Sequence, residues 1–149
     1  MWPRAAPSVP MVLNHVGTPL FGGRFDDPRA IFAQWREGMA RLAERPNVVV
    51  KIGGMLMHHG VAEAMRRSRG EEAWTAPALV AELGPWLAET IALFGPGRCL
   101  FESNFPMDRG HCTYPVLIAA YRELLAGLPV ADQDQVLRAN AARLYRVSG

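Results

Sequence analysis

Arg98-Cys99-Leu100-Phe101-Glu102-Ser103-Asn104-Phe105-Pro106-Met107-Asp108 is the stretch whose reading decides the fold class of this chain. Gly95-Pro96-Gly97 gives a turn signal, Leu100 and Phe101 form an apolar step, and a polar cluster closed by proline follows. The stretch reads as a short buried strand, 98–102, with polar side chains at its exit, where α/β enzymes keep their chemistry. Period-2 alternation puts Glu102 and Asn104 on one face and Ser103 on the other, with Glu102 about 6–7 Å deeper along the strand. A local reading stays open, in which Ser103 and Asn104 cap the helix entered at about Thr113 and Pro106 shapes the loop.

Working outward, Val9 to Leu13 reads as a strand that delivers Asn14-His15-Val16-Gly17 to its C-terminal end, followed by a loop with Gly22 and Gly23. Asp27 then caps a helix with Pro28 at its first position; Ile31, Trp35, Met39 and Leu42 recur at helical spacing until Pro46. Asn47-Val48-Val49-Val50-Lys51-Ile52 is β-branched and nearly continuous, as a parallel strand covered on both faces requires, and ends at Gly53-Gly54. Past a basic segment at Arg66, Arg67 and Arg69, read as solvated surface, Thr75 opens a helical pattern through Leu79, Leu83, Leu87 and Ile91. Gly84-Pro85 predicts a bend or break in it, and Gly95 stops it. After the strand at 98–102 come a helix with Val116, Leu117, Tyr121, Leu124 and Leu125 and a final run from Asp132 to Tyr145. Asp132 and Gln135 in that run have capping-box spacing.

The order β-α-β-α-β-α-α describes parallel strands joined by crossover helices, in one domain spanning 1–149. Three parallel strands leave two open edges, and such sheets normally continue into doubly wound or barrel folds. A Gly-rich phosphate loop is what a nucleotide-binding domain would add, and neither Gly-x-Gly-x-x-Gly nor a P-loop lysine accompanies Gly53-Gly54.

Half of the 149 residues are hydrophobic, enough for a substantial core. The formal charge of +2 is spread along the chain, so no basic tract points to nucleic acid. No uninterrupted apolar run approaches the roughly 20 residues of a membrane span, and Met1-Trp2-Pro3-Arg4-Ala5-Ala6-Pro7 lacks the apolar core of a secretory signal; a soluble cytoplasmic protein is expected. Cys99 and Cys112, thirteen positions apart in unlike settings, are expected as reduced thiols.

Four ordered segments resemble the amidohydrolase 2 family, TIM-barrel metal-dependent hydrolases that include sugar-lactonase-like and aminocarboxymuconate-semialdehyde-decarboxylase-like enzymes. They are 13–19 (Leu-Asn-His-Val-Gly-Thr-Pro), 49–54 (Val-Val-Lys-Ile-Gly-Gly), 99–108, and the ending Asn140-Ala141-Ala142-Arg143-Leu144-Tyr145. Their order and spacing match the family's last three strands and closing helix. The resemblance therefore implies a partial (β/α)8 barrel, about the last three βα units plus a C-terminal helix. The half that usually carries the His-x-His or acid-x-His metal motif is absent, and His58-His59 is adjacent rather than alternating, a poor arrangement for chelation and more like a solvated loop pair.

His15, just past a strand's C-terminal end, matches the family's strand-six histidine, a metal ligand or substrate contact in various members; a histidine bonded within its own Gly/Pro turn is the local alternative. Lys51 is ionic at the end of a strand built for burial and so demands a partner or a polar cavity. Glu102 on the next strand can be that partner, or Lys51 can bind a substrate carboxylate. The family's eighth strand commonly ends Gly-Ser-Asp-Trp-Pro, whose aspartate ligates metal or activates water. Asn104 stands at that position, and an amide takes no proton from water at neutral pH, though its oxygen still orients one. The base role then falls to Glu102, which replaces the family's glycine, or to Asp108, with Asn104 positioning water or substrate.

The resemblance implies a hydrolase cleaving a lactone, ester or amide of a small carboxylated substrate, with or without a divalent metal, Zn or Mn, held by His15. Decarboxylation by the same family and a non-catalytic half-barrel are the alternatives. Such a half-barrel would work only as a homodimer or paired with a missing N-terminal half.

Overall fold

The computed structural model describes residues 7–19, 27–58 and 73–147. Three short strands, β1 (Met11–Leu13), β2 (Val48–Lys51) and β3 (Cys99–Leu100), form one parallel sheet in sequence order. Met11 pairs with Val48 and Leu13 with Val50, while Val50 pairs with Cys99 and Lys51 with Leu100. Each strand is followed by a helix: α1 (Pro28–Ala43), α2 (Ala76–Phe94) and α3 (Tyr114–Leu125), with a closing run α4 at 130–145. His59 and the basic segment at 66–69 lie outside the described residues, as does the loop with Gly22 and Gly23.

The local signals act where they stand. The Asp27 carboxylate accepts from the backbone N–H of Arg29 and Ala30, and Thr75 Oγ1 accepts from Ala78 N–H, so both helices start at a side-chain cap. Val50, Ile52, Leu79, Leu83, Leu87, Leu117, Leu125 and Val136 are fully or almost fully buried between sheet and helices. Phe32, Trp35 and Trp86 meet edge-on or tilted at ring-centre distances of 4.7–5.2 Å, locking α1 to α2.

Several expectations need correction. α2 runs unbroken through Pro85, because its buried face, from Leu79 to Phe94, is held by the core on both sides of the proline. α2 also has the length and mean hydropathy, 1.2, of a membrane span, although Glu82 and Glu89 interrupt its apolar run. Its inner face is packed in the core. α4 begins at Val130 with Pro129 as its N-cap, so Asp132 lies within the first turn and makes no capping box; the run comprises Val130–Asp134, a π-helical turn Gln135–Ala139, and Asn140–Tyr145.

β3 is two residues long, not five, since its outer edge belongs to α4. Phe101 N–H donates to Val136 C=O at 2.8 Å, and Asn140 Nδ2 donates to Cys99 C=O at 2.8 Å and Pro96 C=O at 2.7 Å. Of the two edges expected to be open, one is thus covered by the chain's own last helix, and β1 remains at the sheet's edge.

Candidate active site

The three strands deliver their C-terminal ends to one place. Past β1 the chain turns at once: His15, Val16, Gly17 and Thr18 take φ of 51°, 54°, 73° and 52°. Left-handed backbone costs a non-glycine residue roughly 1–3 kcal/mol and persists only where its surroundings enforce it. Here Thr18 N–H donates to His15 C=O at 2.8 Å, and the Trp35 indole N–H, reaching across from α1, donates to Val16 C=O at 2.7 Å.

β2 ends at Lys51, and Gly53-Gly54 follow. A Cβ on Gly54 would stand 2.0 Å from His15 Nδ1, and one on Gly53 would stand 2.0 Å from the Glu102 carbonyl oxygen. These two glycines are what let both side chains approach; Gly54 also has φ of 75°. Tyr121, fully buried on α3, donates its hydroxyl to Ile52 C=O at 2.5 Å and fixes the backbone just before them. Burial raises the Tyr121 phenol well above its ordinary range, so it stays a donor.

Glu102 completes the convergence. Its Oε1 lies 2.7 Å from His15 Nδ1 and its Oε2 lies 3.2 Å from Lys51 Nζ. The side chains are 22 % (His15), 27 % (Lys51) and 15 % (Glu102) exposed, so each keeps some contact with solvent. The pairing that the burial argument offered Lys51 is present, and His15 shares the same carboxylate.

Asn104 does not join that face. Its backbone is left-handed, with φ of 53°, which ends the strand alternation and turns its amide to Asp108: Nδ2 donates to Oδ1 at 2.8 Å. Asp108, 1 % exposed, has its carboxyl pushed above the ordinary carboxylate range by burial, offset by the Asn104 hydrogen bond and by His111 and His15, while Glu102 pushes upward. Ser103 and Asn104 do not cap α3, whose N-cap is Thr113; Ser103 Oγ accepts from Phe105 N–H at 3.3 Å. Cys99 and Cys112 are free and buried, and burial raises their thiols to about 12 and about 11, which withholds thiolate chemistry near neutral pH.

The residues that sequence reasoning missed are the supports. Trp35 was visible only as a core position of α1, Gly53-Gly54 only as a strand terminus, and Tyr121 only as an apolar step of α3. No group of three or more His, Cys, Asp or Glu side chains among the described residues is arranged to hold a metal ion. His15 Nδ1 and both Glu102 oxygens are engaged with one another and with Lys51, and Asn104 brings a neutral amide bonded to Asp108. The described donor set does not fit a metal centre.

The family model described as "Amidohydrolase" matches residues 2–147. An uncharacterized protein, y4mH, of Sinorhizobium fredii is 33 % identical over 144 residues, 97 % of this chain and 41 % of the relative. An L-fucono-1,5-lactonase of Burkholderia multivorans is 27 % identical over 136 residues, 91 % of this chain and 42 % of the relative. Two crystal structures of an amidohydrolase from Burkholderia multivorans share the fold. The one with bound HEPES superposes with a TM-score of 0.81 at 24 % identity, over 99 % of this chain and 48 % of that one. The one with bound zinc gives 0.80 at 22 % identity, over 99 % and 47 %. The chain spans less than half the length of these relatives, and it belongs to the amidohydrolase 2 family.

Proposed function

We propose that the chain supplies the last three βα units of a (β/α)8 barrel hydrolase, and that this enzyme opens a small carboxylated lactone, ester or amide with water. The observation that carries this reading is the meeting of His15, Lys51 and Glu102 at the exits of three successive parallel strands. The lactonase among the relatives makes a lactone the substrate class of choice. Lys51 has three donors, one for Glu102 and others for a substrate carboxylate. Of the two carboxylates considered for water activation, Asp108 is 1 % exposed and serves Asn104, whereas Glu102 keeps a 15 % exposed side chain beside His15 and Lys51. Asn104, held by Asp108, offers its amide oxygen to water or substrate.

The test is hydrolysis of matched carboxylated and uncharged lactones, esters and amides, followed by proton release. Lys51→Met is expected to raise KM at least tenfold for the carboxylated members and to leave the uncharged ones unchanged. Failure of the folded protein to consume any of them, with or without added zinc or manganese, overturns the reading. A second reading, a half-barrel inactive until another half pairs with it, is favoured by β1 at the sheet edge and by relatives of about twice the length.

A further inference from the structure

We propose that the end of α4 and the lower part of the sheet form a second site, which binds a small organic carboxylate between two arginines and an apolar floor. The proposal does not rest on the hydrolase reading.

A cavity of about 260 Å³ lies between them, below the roughly 300–1,000 Å³ typical of pockets for drug-sized ligands. Its lining takes in Gly97, just ahead of β3, and none of His15, Lys51 and Glu102. Val49 and Leu100 make the floor. Val49 precedes Lys51 by two residues and Leu100 is the partner of Lys51 across the β2–β3 ladder, so strand alternation puts both on the Lys51 face, nearer the strands' starts. Leu144 extends the apolar side.

The cations come from the last turn of α4. Arg143 is aimed by its neighbours: Nη2 donates to Gly97 C=O at 3.0 Å and to Asn140 Oδ1 at 2.9 Å. Asn140 is itself buried and held by the Pro96 and Cys99 carbonyls. Those bonds use one of three guanidinium nitrogens, and Nη1 and Nε keep donors for an anion. Arg146 ends α4 at φ of 56°, a left-handed position that glycine usually takes, and Val147 N–H closes that turn on Ala142 C=O at 3.0 Å. Its side chain lines the same cavity.

Neither arginine meets a carboxylate among the described residues, and no Asp or Glu lines the cavity, whereas Arg36, Arg41, Arg45 and Arg138 each face one. Both are exposed, so a solute reaches them. Two guanidinium forks without a counter-charge select a carboxylate. The valine and leucine floor selects one with an apolar body over a fully hydrated inorganic ion.

The test adds benzoate, its uncharged twin benzamide, acetate or inorganic phosphate to the 15N-labelled chain at pH 7 and fixed ionic strength. Expected are saturable benzoate shifts at the Gly97, Leu100 and Leu144 amides and at Arg143 Nε–H, with each of the other three solutes at least about tenfold weaker. Arg143→Gln and Arg146→Gln should each weaken benzoate about tenfold. The Arg146 side chain makes no hydrogen bond among the described residues, so Arg146→Gln keeps the fold and decides the matter alone should Arg143→Gln not fold.

Equal binding of benzamide reduces the site to an apolar crevice, and equal binding of phosphate reduces it to a charged surface; either overturns the proposal. So does benzoate affinity that Arg146→Gln leaves unchanged. Affinity lost in Lys51→Met and kept in Arg146→Gln places the carboxylate at the candidate active site instead and overturns it as well.

Discussion

At the scale of single residues, the amide of Asn104 and the burial of Asp108 belong together. Asn104 Nδ2 donates to Asp108 Oδ1, a contact that a second carboxylate at 104 would turn into repulsion. Asp108 is nevertheless a poorly hydrated carboxylate, and its titration is raised chiefly by burial. A carboxyl raised in the folded state binds its proton more tightly there than in the unfolded chain. The stability it contributes is therefore present at low pH and lost as pH rises through its raised range. Asp108→Asn keeps an acceptor for Asn104 and removes the charge. Its Tm is expected to exceed that of wild type at pH 7 by an amount on the order of 1 kcal/mol, a few degrees. The difference should shrink to nothing in melts taken at pH 3. A variant less stable than wild type at pH 7 would mean that Asp108 is charged and fully compensated.

At the scale of elements, Asn140 carries more than its place in a surface-helix pattern suggests. It is 2 % exposed, its Nδ2 donates to Pro96 and Cys99 carbonyls, and its Oδ1 accepts from Arg143 Nη2 at 2.9 Å. Asn140→Ala leaves the buried carbonyl of Cys99 and the part-buried carbonyl of Pro96 without that donor and is expected to cost about 1–3 kcal/mol in urea unfolding. The exposed i,i+4 pair one turn earlier offers the comparison: Arg138→Ala should cost less than about 0.5 kcal/mol. A cost for Asn140→Ala as small as that of Arg138→Ala would show that α4 does not hold the β3 edge.

Helix starts at Asp27-Pro28 and Thr75 and the apolar strand 48–51 were legible because their signals are local. The true length of β3 was not, because it is set by Val136 and Asn140, some 35–40 residues away in sequence. The Lys51–Glu102 pair could be anticipated from one rule, that a charge in a buried strand needs a partner. The His15–Glu102 contact could not, since it depends on four consecutive left-handed residues of which only Gly17 announces itself.

At the scale of the whole molecule, the sheet has one edge sealed by its own chain and, among the described residues, one that is not. Met11 N–H bonds to Asn47 C=O across the β1–β2 ladder, so in parallel pairing the main chain of Val12 points the other way. Val12 is 36 % exposed and Val9 53 %, an apolar rim of the kind that natural sheets blunt with lysine when it is to stay single. The relatives are about twice as long as this chain, and barrel closure would lay a further strand along this rim. The chain is accordingly expected to associate through β1 as its concentration rises, its mass in sedimentation equilibrium moving from 16.4 kDa toward twice that value. Val12→Lys should hold it at 16.4 kDa with an unchanged circular dichroism spectrum, because the substituted side chain reaches solvent from a three-residue edge strand. Equal association in both proteins would move the contact away from β1. A wild type that stays monomeric at every concentration would mean that the rim accepts only the strand of a longer chain, and joining such a strand to the N-terminus should then slow hydrogen exchange at the Val12 amide.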